Sequence, residues 1–357
     1  MPVIRRLAVV CLVCASLVAV AAEADPAALI EKGHYKQAFP LIEKRLAANS
    51  KDADALVLMA RYKLAYSDAE AAKKLLQQAI AIQPNSSAAH LFMADAISRR
   101  VDQAGMFEKM GLAKDIKRET EQAISLDPKN VDAYHGMMDY YLEAPGVMGG
   151  SVSKAREMAE KMMALDPVEG NLAKARIAVH EKQFDTVEGF YLEAVKAKPN
   201  SYNALLETSA LYTRERWRNY DKSVEYGQKA LQVDPARSAA YTVLAQVYAL
   251  KESWSDLDQI ISRAEKAVPD NLAPYFASAR ILINTGKDNQ RAERYLRKYL
   301  TQEPEGGAAP LAAAHWRLGQ ILEKQGKKPE AIQEIQIAVQ MKPDLKDAQK
   351  DLKRLKG

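Results

Sequence analysis

The sequence predicts an all-α solenoid of helix–turn–helix units, and three observations predict it. Proline closes one amphipathic stretch after another, at Pro84, Pro128, Pro167, Pro199, Pro235, Pro269, Pro304 and Pro343, with spacings of 44, 39, 32, 36, 34, 35 and 39 residues. Small residues recur in register with those prolines. The stretches between them carry apolar residues at helical spacing. A period of this length marks stacked hairpins, because one hairpin cannot bury its apolar face alone.

The first 22 residues read differently from the rest. Arg5 and Arg6 precede an uncharged apolar run from Leu7 to Val20, and small residues follow at Ala19, Ala21, Ala22 and Ala24. That is the layout of a secretory signal peptide, with cleavage expected after Ala21 or Ala22. The run is shorter than the roughly 20 residues that span a bilayer, so no membrane span is expected after cleavage. Both cysteines, Cys11 and Cys14, fall inside it and are preceded by valine, unlike lipid-attachment cysteines. The mature chain is then cysteine-free and held by packing alone, which fits a bacterial periplasm better than a eukaryotic secretory lumen.

Composition narrows the function classes. An apolar fraction of 48% with 27% charged residues describes a folded helical chain rather than a disordered one. Without Arg5 and Arg6, 49 basic residues stand against 46 acidic ones, a net charge of +3 with the signs interspersed. No basic stripe points to nucleic acid.

The units follow in order. The first is incomplete: Ala28 to Lys32 is a stub of a first helix, and the second helix contains Pro40, which should distort it, and ends near Ser50. Units then end near 84, 128, 167, 199, 235, 269, 304 and 343, so the solenoid occupies 23–357 with a charged capping helix in 344–357. Small residues stand at matching places on the first helices (Ala60, Ala94, Ala175, Ser209, Ala245, Ala279, Gly319) and on the second (Ala79, Ala123, Ala194, Ala230, Ala264, Ala338). Small side chains there let antiparallel helices approach closely.

Aligned on the prolines, these units resemble tetratricopeptide repeats. The segment from His315 to Pro343 matches best, through Leu318, Gly319, Leu322, Gly326, Ala331, Ile335, Ala338 and Pro343. The segment from Ser238 to Pro269 follows, through Tyr241, Leu244, Ala245, Tyr248, Trp254, Ile261 and Ala264. The resemblance implies a right-handed superhelix of about 8.5 repeats whose first helices line a concave face.

Two units carry insertions, around 98–120 and 143–155. The first keeps helical periodicity and needs a turn near Gly105 or Gly111. The second, with Pro145, Gly146, Gly149 and Gly150, makes a structured loop. Each is either functional or a shield over a helix end. The methionines Met137, Met138, Met148, Met158, Met162 and Met163 sit at helical spacing and are read as core before binding surface.

No catalytic constellation is visible. The five histidines, His34, His90, His135, His180 and His315, occupy different units without metal-ligand spacing, so neither metal nor cofactor is expected. MGG followed by Ser151 and Ser153 lacks both the lysine and the preceding strand of a phosphate loop. The resemblance implies a non-enzymatic periplasmic scaffold holding a peptide or protein segment in its concave groove, and the missing catalytic constellation agrees with it. The alternative is a structural or assembly subunit of a cell-envelope complex, in outer-membrane biogenesis or polysaccharide export.

The resemblance also implies which side chains face the groove. They include Val57, Leu58, Arg61, Phe92, Asp95, His135, Asp139, Leu172, Arg176, Phe276, Arg280, Trp316 and Arg317, with Phe92, Phe276 and Trp316 as apolar anchors. The arginines Arg61, Arg176 and Arg280 suit acidic groups on a partner. The competing reading packs the large residues between adjacent repeats.

Overall fold

The computed structural model describes residues 24–357, which contain nineteen α-helices and no strand. The signal peptide expected over 1–22, with Cys11 and Cys14, lies outside the described residues. Unit 1 pairs α1 (Pro26–Lys32) with α2 (Tyr35–Ala48), unit 2 pairs α3 (Ala53–Ala65) with α4 (Ala69–Ile82), and unit 3 pairs α5 (Ser87–Ser98) with α6 (Met106–Leu126). Units 4, 5 and 6 are α7 (Val131–Glu143) with α8 (Val152–Leu165), α9 (Pro167–His180) with α10 (Phe184–Ala197), and α11 (Tyr202–Leu211) with α12 (Tyr220–Val233). Units 7, 8 and 9 are α13 (Ser238–Leu250) with α14 (Trp254–Ala267), α15 (Ala273–Thr285) with α16 (Asn289–Tyr299), and α17 (Leu311–Lys324) with α18 (Lys328–Met341). A last helix, α19 (Lys346–Lys356), packs on α18.

Local chemistry sets the helix ends. Asp52 accepts the Ala55 N–H at 2.9 Å, Asn130 that of Ala133 at 3.1 Å, and Ser201 that of Ala204 at 3.3 Å. Each cap satisfies a donor without an intrahelical partner and is worth about 1 kcal/mol. The turn inside a hairpin repeatedly needs one left-handed residue. Gly33, Gly286 and Gly326 supply it without strain, whereas Ser67, Lys182 and Glu252 hold φ of 57 to 62° at the same place. Pro40 does not end α2, which continues to Ala48.

The insertions take definite form. A 3₁₀ turn at Val101–Gln103 precedes Gly105, the cap of α6, and α6 runs on through Gly111; the turn is therefore at Gly105. In unit 4 the loop after α7 makes a 3₁₀ turn at Gly146–Met148 and closes by the Ser151 N–H donating to the Tyr141 carbonyl at 2.8 Å. The Tyr140 hydroxyl donates to the Met148 carbonyl beneath it. Met137, Met138 and Met162 are buried, as core methionines should be.

Close helix approach rests on the small residues. Ala60, Ala79, Ala194, Ala245, Ala279 and Ala338 have no exposed surface, and a side chain at Gly319 would collide with Ile335. Successive first helices pack on one another from α3 to α9 and from α11 to α17, while successive second helices do not approach comparably. The stack therefore curves with its first helices inside. One continuous apolar cluster joins units 6 to 9 and α19, from Tyr202 to Leu355; the N-terminal units hold smaller, separate clusters.

The chain also closes on itself. The residue after the turn proline in three successive units, Ala236, Asp270 and Glu305, meets the hairpin of unit 1. His34 Nε2 lies 2.7 Å from the Ala236 carbonyl, and the Gln37 amide donates to Asp270 Oδ2 at 2.8 Å. The Lys36 N–H donates to both Glu305 carboxylate oxygens at 3.1 and 3.2 Å, and the Lys36 ammonium reaches the Glu303 carbonyl at 2.8 Å. In unit 2 the Ala65 carbonyl accepts the Gly307 N–H at 2.9 Å. A Cβ on Gly306 would lie 2.7 Å from Ala65 Cβ and 2.8 Å from the Tyr35 ring, so only glycine allows this approach. The within-hairpin edge of units 1 and 2 thus rests on the between-unit edge of units 6 to 8. A full superhelical turn is completed and locked.

Candidate binding face

The inner face is built by repeating one side-chain position along successive first helices. His135 on α7, Glu169 on α9 and Asn203 on α11 are 34 residues apart, and they form a chain: His135 Nε2 lies 3.1 Å from Glu169 Oε2, and the Asn203 amide donates to Glu169 Oε1 at 2.8 Å. The bond to His135 is the main reason the Glu169 carboxyl sits below its ordinary value; burial opposes it, and Asn203 adds to it. One turn along, Arg176 on α9 pairs with Asp139 on α7 at 3.0 Å and reaches Glu143 at 3.7 Å. Burial nevertheless pushes the Asp139 carboxyl above its ordinary value.

Between these helices lies a cavity of about 450 Å³ lined by His135, Glu169, Leu172, Ala173, Arg176, Val179, Tyr191, Asn203, Glu207 and Arg214. Apolar Leu172, Val179 and Tyr191 share this lining with side chains of both charge signs. Glu207, largely withdrawn from water, has its carboxyl raised by burial, with Arg214 opposing the shift. Of the expected groove residues, His135, Leu172 and Arg176 line this cavity, and Asp139 holds Arg176 in place. Glu169, Tyr191, Asn203, Glu207 and Arg214 were missed. The 34-residue spacing from His135 was the signal for Glu169 and Asn203; Tyr191 and Arg214 lie off the first helices and left none.

The remaining expected residues sit elsewhere on the face. The Arg61 guanidinium stacks over the Phe92 ring at 4.9 Å, and Phe92 packs against the buried cluster of units 2 and 3. Asp95 pairs with Arg99 at 3.1 Å. Phe276 packs against Tyr299, with ring centroids 5.2 Å apart. Trp316 donates from Nε1 to Asp351 of α19 at 2.8 Å and carries the Arg317 guanidinium on its ring at 4.4 Å. Burial, and then the like charge of Arg280, hold Arg317 below its ordinary value. Phe92, Phe276 and Trp316 are thus half-buried between repeats. Val57 and Leu58, expected in the groove, are buried in the core.

The histidines are mostly partnered by carboxylates that the sequence did not place beside them: His34 with Asp270, His90 with Glu119, His135 with Glu169 and His315 with Glu334. The His34 imidazole is raised above its ordinary value, first by its bond to Asp270. Glu305 is pushed up to about 7 by burial, against the opposing bond from Lys36.

Comparison with known proteins agrees with this architecture. Residues 276–346 match the tetratricopeptide repeat family. Residues 61–143 match the family of regulators of microtubule dynamics proteins 1–3. No curated protein matches the chain. Among solved structures, yeast Tom70 is 13% identical with a TM-score of 0.50, over 93% of this chain and 86% of its own. The thermophilic repeat protein TTC0263 of Thermus thermophilus is 19% identical with a TM-score of 0.45, over 58% of this chain and 95% of its own. Human IFIT1, solved as a dimer with m7Gppp-AAAA, is 16% identical with a TM-score of 0.47, over 92% of this chain and 79% of its own. The fold is thus a tetratricopeptide-like array of helical repeats, and its C-terminal part, residues 276–346, matches the tetratricopeptide repeat family.

Proposed function

We propose that this protein is a non-enzymatic interaction scaffold that holds a peptide or protein segment on its inner face, in the cavity between α7, α9 and α11. One observation carries the reading: the cavity brings apolar Leu172, Val179 and Tyr191 together with His135, Arg176, Asn203 and Arg214, beside Glu169 and Glu207. A segment with one or two apolar side chains and a nearby acidic group matches that lining, since buried apolar anchors give affinity and rim charges give orientation. No helix of the described residues is long and apolar enough to cross a membrane. The N-terminal pattern supports an exported, periplasmic location, where the alternative role is an assembly subunit working through its edges and outer face.

A second reading rests on the match of residues 61–143 to regulators of microtubule dynamics, which spans α3 to α7. On that reading the partner is a cytoskeletal protein, and the chain co-sediments with microtubules. A photo-cross-linking residue placed at Arg176, and separately at the outer-face position Lys196, separates binding on the two faces. Capture of one defined segment from Arg176 alone supports the inner-face scaffold; capture only from Lys196 overturns it.

A further inference from the structure

The lock between the ends of the superhelical turn contains a largely buried cluster of one imidazole and two carboxylates. One ring nitrogen of His34 and one carboxylate oxygen each from Asp270 and Glu305 all lie within 4.8 Å of one another. His34 and Glu305 are buried, with 7% and 2% exposure. The Ala236 carbonyl can only accept, so His34 Nε2, 2.7 Å away, carries the ring proton. Nδ1 lies 3.3 Å from Asp270 Oδ2, which only accepts, so the position between them takes a cation, a second ring proton or a metal ion. Asp270 Oδ1 is buried without a hydrogen-bond partner. The neighbouring lysine does not fill the gap, because the Lys36 ammonium turns to the Glu303 carbonyl.

We propose that His34, Asp270 and Glu305 bind one divalent first-row transition cation, for which Zn²⁺ is the probe, and that this ion staples unit 1 to units 7 and 8. The ligand chemistry is one imidazole nitrogen and two carboxylates, a set that suits borderline cations, and a dication matches the two carboxylate charges. Ligand distances of about 2.1 Å place the donor atoms roughly 3 to 4 Å apart, so modest rotation of the two carboxylates completes the site. The surroundings are those of an oriented metal ligand set. A backbone carbonyl fixes the histidine tautomer, Gln37 holds Asp270, and the Lys36 N–H and Tyr66 hydroxyl hold Glu305. The expectation of no metal site followed sequence spacing, and these ligands are far apart in sequence: His34 and Asp270 are 236 residues apart.

The test uses the full chain stripped with chelator. Calorimetric titration with Zn²⁺ alone should give one site per chain, and Co²⁺ in its place should give visible d–d bands from nitrogen and oxygen ligands. Zn²⁺ should also raise the melting temperature. Asp270→Asn and Glu305→Gln should each weaken binding at least tenfold with helical circular dichroism intact, while His90→Ala, which removes the separate His90–Glu119 pair, leaves Zn²⁺ binding unchanged. Absence of saturable Zn²⁺ binding to the native chain overturns the proposal, whatever the variants do. So does binding that survives both carboxylate substitutions. Melting that responds to pH but not to Zn²⁺ would make the cluster a protonated His34–Asp270 pair, and that also overturns it. Loss of Zn²⁺ binding leaves the inner-face scaffold untouched.

Discussion

Lys36 and Glu305 meet across nearly the whole chain: the backbone N–H of Lys36, at the start of α2, donates to both carboxylate oxygens of Glu305. The first turn of a helix has free N–H groups, and a carboxylate there completes them. That contact makes the N-terminal hairpin a clasp as well as an end cap.

The clasp should fail when its closest approach is filled. Gly306→Val places side-chain atoms against Ala65 and Tyr35, where a single Cβ already comes within 2.7 Å. Overpacking of this kind costs about 1 to 3 kcal/mol. Small-angle scattering should show a larger radius of gyration, and amide exchange should quicken in α1 and α2 while units 6 to 9 keep their protection.

Protection should also be graded along the chain. Units 6 to 9 share one apolar cluster, and the earlier units hold separate smaller ones. Nearest-neighbour coupling in repeat arrays then lets the N-terminal half open at lower free energy. Hydrogen exchange should find the slowest amides in α13, α15 and α17. Slowest exchange in α5 to α8 would contradict the grading.

Docking of α19 should depend on acid. Burial would raise the Asp351 carboxyl, but the bonds from Trp316, Arg354 and Gln320 outweigh it and hold the group below its ordinary value. A folded value below the unfolded one stabilises docking above pH 3.8, and this stability is lost as pH falls through the folded value. Trp316 fluorescence should report the release, and Asp351→Asn should remove the acid-dependent step.

On the inner face, exposed and embedded residues should separate. Arg176→Ala should weaken binding of an acidic segment about tenfold or more while leaving the melting temperature nearly unchanged, because its guanidinium is half exposed. Phe92→Ala should instead cost about 1 to 3 kcal/mol of stability, since the ring packs on a buried cluster. Equal loss of stability from both would assign Arg176 to the framework.

The hairpins were legible because their causes are local. Pro235 and Pro269 follow directly on the C-caps of α12 and α14, where a proline cannot extend the helix, and Ala245 or Ala279 marks a close helix contact without knowledge of the partner. The inner-face orientation of His135 and Arg176 followed from the repeat register. What escaped notice depends on sums over many units. Whether His34 reaches Ala236 and Asp270 is set by the accumulated twist of the intervening units, and small angular changes in each would part them. The chain from His135 through Glu169 to Asn203 was readable at a spacing of one repeat, but each residue alone looks like a solvated surface polar group. Phe92, Phe276 and Trp316 show the converse: large residues at inner positions that the neighbouring repeat partly covers.

The closure of the superhelical turn is the claim on which the metal staple depends, and a distance measurement tests it most directly. Spin labels at the exposed positions Glu31, on α1, and Thr301, after α16, report it by pulsed dipolar spectroscopy on the full chain. A closed turn gives a single short distance in a narrow distribution, lengthened by Gly306→Val. A long, broad distribution in the native chain, unchanged by Gly306→Val, would show an open solenoid and contradict the account.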